Sequence, residues 1–152
     1  MRTLDQWCSE YAVSHRNKTN QIIHYICVPA IFFSLVGILM SIPPGPLTGI
    51  FPMYIPFLEN WAVVVLILVL LFYMHLSIPM GIKILIFAAL CIAGNYYISL
   101  FAPLWLVSVI IFVVAWIGQF YGHKVEGKKP SFLKDIQFLL IGPAWVIKKV
   151  FG

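Results

Sequence analysis

The chain carries four histidines, His15, His24, His75 and His123, among 152 residues. Imidazole is the commonest metal-ligating side chain, binding through a neutral ring nitrogen. Other polar groups stand at helical spacing from them. Asn20 lies four residues before His24, Gln119 lies four before His123, and Glu126 lies three after it. Residues three or four apart share a helix face. Asn20 and Gln119 are therefore candidates for orienting an imidazole from behind. Glu126 is a candidate for facing the same ion as His123, or for serving as a base beside it. His15 and His24 are nine apart, half a turn out of phase at ~100° per residue. Both can reach one ion only if the chain breaks between them. Asn17 and Thr19 are suitable helix caps, so a break is expected near Arg16–Thr19.

The donor set narrows the chemistry. Cys8, Cys27 and Cys91 are odd in number, form no C-x-x-C, and in two cases sit in apolar runs. They read as packing residues. With no thiolate site, several imidazoles and one carboxylate suit redox-active non-haem iron or hydrolytic zinc. The residues alone leave both open.

The elements that position these groups belong to a membrane. Apolar residues make up 62% of the chain and charged residues 10%, against ~45–50% and ~25% in soluble domains. This balance excludes a disordered chain, a nucleic-acid-binding protein and an ordinary cytosolic enzyme. Four segments approach the ~20 apolar residues that a spanning helix needs: Ile22–Ser41, Trp61–Pro79, Ile82–Phe101 and Pro103–Tyr121. Between the first two, Pro43, Pro44, Pro46, Pro52 and Pro56 exclude a regular helix, so an extracytosolic interfacial loop is expected. After Tyr121 a basic loop ends at Pro130. Ser131 is positioned to cap a fifth helix, interrupted at Gly142–Pro143. It is too short to span and is expected to lie in the interface. The first 21 residues hold charges and no early apolar run, so a retained cytosolic segment is expected in place of a signal peptide. With that end cytosolic and four spans, all ten Lys and Arg fall on one side, as the positive-inside rule requires. The four histidines fall at the same level. The expected fold is all-α: one integral membrane domain over 1–152, four transmembrane helices and a C-terminal interfacial helix, both termini cytosolic. The host membrane would be a bacterial cytoplasmic membrane or the endoplasmic reticulum.

Two stretches carry a resemblance. One runs His15-Arg-Asn-Lys-Thr-Asn20-Gln-Ile-Ile-His24-Tyr-Ile-Cys-Val-Pro29. The other runs Trp116-Ile-Gly-Gln119-Phe-Tyr-Gly122-His123-Lys-Val-Glu126-Gly-Lys-Lys-Pro130, followed by Gly142-Pro143. Together they resemble the family of the fungal 2-hydroxy-fatty-acid dioxygenase of phytosphingosine breakdown. The resemblance implies Fe2+-dependent α-oxidation, in which a 2-hydroxy fatty acid and dioxygen give carbon dioxide and the acid shorter by one carbon. It implies His15, His24, His75 and His123 as metal ligands, with His75 the least supported by motif. His15, His24, His123 and Glu126 would form the catalytic set, and Arg16, Lys18 or Lys124 would hold the substrate carboxylate. Six-coordinate iron with a bidentate substrate and dioxygen has three positions for protein, so with four histidines either one stands behind the ligands, or substrate binds through one oxygen, or a ligand is displaced in turnover. Trp116, Tyr121 and Trp145 read first as interface-belt aromatics and second as walls of an acyl-tail pocket. A zinc-dependent lipid hydrolase with Glu126 as base, a b-type haem protein and a non-enzymatic membrane protein are the rival readings.

Overall fold

The computed structural model describes residues 1–152. It is all-helical: α1 (Leu4–Ala12), α2 (Lys18–Ser41), α3 (Trp61–Leu76), α4 (Ile78–Ser99), α5 (Leu104–Glu126) and α6 (Phe138–Phe151), with 3-10 turns at Gly45–Leu47 and Ser131–Leu133. Three helices, α2, α4 and α5, are long and apolar enough to cross a membrane. The fourth expected span, α3, has 16 residues, which at ~1.5 Å per residue falls short of a ~30 Å hydrocarbon core. Side chains such as Leu68, Leu71, Leu90, Ile110, Val114 and Ile117 are exposed. Apolar surface on this scale is the mark of a lipid-facing or partner-facing exterior.

The chain forms two compact units, Met1–Phe32 with Val113–Gly152, and Phe33–Phe112. In the second unit α3 packs on α4 across the single residue Ser77. Asn60 caps α3, its Oδ1 accepting from Val63 N at 3.1 Å. The Pro-rich stretch before it forms turns and the 3-10 turn, as its prolines require. Glu59 holds that stretch together, accepting from Gly49 N at 3.0 Å and Ile55 N at 2.8 Å. Asn95, wholly buried, donates to the carbonyls of Phe33 and Cys91.

The first unit holds α1, α6, the start of α2 and the end of α5. α1 opens with a capping box between Thr3 and Gln6 and packs on α6. Trp7 meets Phe138 edge-on at 5.2 Å, and Lys148 pairs with Asp5. Two expectations change here. Ser131 opens only the 3-10 turn, and α6 begins at Phe138 after Asp135 accepts from Gln137 N. Pro143 does not interrupt α6. The run Ile141–Ile147 is buried, and that burial offsets the one backbone bond that a proline removes.

Candidate metal centre

The expected break lies between α1 and α2. Asn17 caps α2, its Oδ1 accepting from Thr19 N at 2.9 Å and Asn20 N at 3.3 Å. His15 sits in the joint, His24 one and a half turns into α2, and His123 in the last turn of α5. All three are buried, and their ligand atoms lie within 4.8 Å of one another. His75 is outside this group. It is exposed near the end of α3, in the other unit.

The hydrogen bonds select a tautomer. His15 Nδ1 donates to the Tyr11 carbonyl at 2.6 Å, and His24 Nδ1 donates to the Asn20 carbonyl at 2.9 Å. A proton held on Nδ1 leaves the Nε2 lone pair free, the usual arrangement of a metal-ligating histidine. His15 Nε2 is buried without a hydrogen-bond partner. His24 Nε2 and His123 Nε2 face each other at 3.1 Å. Nitrogens bound at about 2.1 Å to one ion lie about 3.0–3.4 Å apart for right-angle to tetrahedral arrangements. The pair therefore has the spacing of two ligands on one cation. Burial pushes the His15 imidazole down to about 4, partly countered by its bond to the Tyr11 carbonyl. At neutral pH it is uncharged, the form that binds metal. The donor set is thus three imidazoles, with no thiolate or carboxylate among them, and it fits a divalent first-row ion.

Two features bring the rings together. Gly118 and Gly122 form one face of α5 against α2. A Cβ on Gly118 would stand 2.7 Å from Cys27 Sγ, and one on Gly122 would collide with the Asn20 amide oxygen. Small residues four apart allow such close helix approach. The second feature is an aromatic wall. Tyr11 stacks on the His15 ring at 4.1 Å and 9°, and Trp145 lies 5.2 Å from it. Trp145 is 1% exposed, so it belongs to the core around His15 and not to an interface belt. Neither Tyr11 nor the Gly118–Gly122 pair was singled out in the sequence. The i, i+4 glycine spacing was the available signal.

The other candidate residues fall as follows. Glu126 accepts from Arg16 N at 2.9 Å, Asn17 N at 2.8 Å and Asn20 Nδ2 at 3.1 Å. Its carboxylate is thereby engaged in tying the end of α5 to the joint that carries His15. Asn20 orients His24 through its backbone carbonyl, while its side chain also donates to the Ser14 carbonyl. Gln119 is buried one turn before His123, its Oε1 without a protein partner. Arg16, Lys18 and Lys124 are exposed. Glu126→Gln replaces one acceptor oxygen by a donor facing backbone N–H groups. We expect it to weaken metal affinity about 10–100-fold, the range for groups that orient ligands, while helix content stays unchanged. Metal titration followed by circular dichroism checks this.

No curated protein and no solved structure matches the chain. The model of one family does match, over residues 1–152. On that match the chain belongs to the family described as 2-hydroxy-palmitic acid dioxygenase Mpo1-like.

Proposed function

We propose that the protein is an iron(II)-dependent dioxygenase that converts a 2-hydroxy fatty acid to the fatty acid one carbon shorter. The single observation that carries this reading is the convergence of three buried imidazoles with no other protein donor among them. With dioxygen the reaction balances as 2-hydroxy acid plus O2 to the shortened acid, carbon dioxide and water. When bound, Fe2+ supplies the one-electron chemistry that lets dioxygen react with a closed-shell acid, and three imidazoles fill half of its usual six positions. The chain's own residues do the rest. The Tyr11 and Asn20 carbonyls hold the His15 and His24 rings in the ligating tautomer. Tyr11 and Trp145 shield the His15 face from water. The Glu126 carboxylate, held by three N–H groups, supports the His15 joint. This engagement favours the dioxygenase over a hydrolase that would use Glu126 as its base.

The proposal includes a setting. α2, α4 and α5 cross the bilayer, and α3, paired with α4, crosses as a fourth, shorter span. Both termini and the histidine cluster then lie at the cytosolic face, with every Lys and Arg on that side. The acyl tail stays in lipid and the polar end meets the metal. The test is aerobic incubation of iron-loaded protein with 2-hydroxyhexadecanoic acid. Pentadecanoic acid and carbon dioxide are expected in equal amounts, and neither without oxygen. Metal-bound protein that yields no shortened acid, or that releases products anaerobically, would overturn the reading.

A further inference from the structure

Beside His15 lies a cavity of about 290 Å³ whose wall includes Ser9, His15, Arg16, Gln21, Trp145 and Lys149. Its size is at the lower end of small-ligand sites, enough for a polar head group but not for a long acyl chain. The wall is one-sided in charge. It holds a guanidinium and an ammonium, and no Asp or Glu. The ion pairs of the chain are Arg2 with Glu10 and Asp135, and Lys148 with Asp5. Arg16 and Lys149 belong to none of them. Lys149 is thus unlike its neighbour Lys148, whose charge is already answered.

Trp145 contributes only to the side of the wall, since its indole N–H is buried. The Gln21 amide is occupied, donating to the His15 carbonyl at 2.6 Å. Two cations that no ion pair engages, in a wall without Asp or Glu, call for an anionic ligand. The cavity shares His15 with the metal cluster.

We propose that Lys149 and Arg16 bind the carboxylate of the 2-hydroxy acid in the cavity beside His15. The acid is named from the dioxygenase reading and rests on it; the anion preference rests on the cavity alone. Lys18 and Lys124 do not line the cavity. The same chemistry would recognise a lipid phosphate, so the test separates the two sources.

The experiment measures binding to the full metal-loaded chain in uncharged detergent by quenching of tryptophan fluorescence. The probes are 2-hydroxyhexadecanoic acid, the uncharged hexadecane-1,2-diol, and phosphatidic acid as competitor. The acid is expected to bind about tenfold or more tightly than the diol, as charge-assisted bonds imply. Lys149→Gln and Arg16→Gln should each weaken the acid about tenfold, leave the diol unchanged and keep full metal content. Lys134→Gln should change neither. Equal effects on acid and diol, or none on the acid, would overturn the subsite. So would phosphatidic acid that displaces the acid from the wild type but loses this ability in Lys149→Gln, since that marks a phosphate-lipid site. The two readings fail separately. Lys149-dependent acid binding without a shortened product keeps the subsite and removes the dioxygenase. Product formation in Lys149→Gln at the wild-type KM does the reverse.

Discussion

His24→Ala and His123→Ala are each expected to lower metal affinity by at least about 100-fold, more than the 10–100-fold typical of groups behind the ligands, and to abolish turnover. The two Nε2 atoms stand 3.1 Å apart, so each is half of the closest ligand pair. His15→Ala should behave similarly, because its Nε2 is buried without another partner. His75→Ala should keep wild-type metal content, since His75 is exposed and outside the converging group. Metal analysis of the four purified variants after equilibrium dialysis checks all four outcomes. Full retention of metal in His24→Ala or His123→Ala would remove the centre as described. Loss in His75→Ala would show that a fourth imidazole contributes. The expected three-to-one split also meets the coordination arithmetic, because a chelating acid and dioxygen need half of six positions.

Gly122→Ala is expected to damage the same centre without touching a ligand. The new Cβ would run into the Asn20 amide oxygen. That amide has little freedom to move, since its nitrogen donates to the Ser14 carbonyl and to Glu126, each at 3.1 Å. Either the amide gives up those bonds or α5 backs away from α2. Overpacking of this kind costs about 1–3 kcal/mol, and separation of the helices moves His123 away from His24. Thermal unfolding in detergent should show lower stability, and metal affinity should drop more than tenfold. A Gly122→Ala protein with unchanged metal affinity would mean that the close approach of the two helices does not set the ligand spacing.

Much of this centre was legible before any coordinates. The half-turn mismatch between His15 and His24 required a break, and Asn17 marks its place as the cap of α2. Gln119 and His123 share a face because α5 runs on to Glu126. What spacing could not decide was partnership across long sequence distance. Four histidines at one expected level look alike in sequence, and only packing separates the three that converge from His75. Glu126 was readable as close to His123 by its i, i+3 spacing, yet its bonds go to Arg16, Asn17 and Asn20. Tyr11, and the place of Trp145 against His15, were hidden for another reason. They gain their roles through the packing of α1 on α6, and neither helix has a periodic signal that names its partner. Pro143 shows the same limit from the other side, because burial of Ile141–Ile147 carries α6 through a residue that usually ends helices.

The separation of 99 positions between His24 and His123 also sets an order of events. A ribosome delivers His15 and His24 first, then the second unit, and His123 only after it. The nascent chain therefore holds two imidazoles of the cluster without their third until α5 is made. On the proposed reading, a chain that stops before α5 would lack His123 and with it the complete centre.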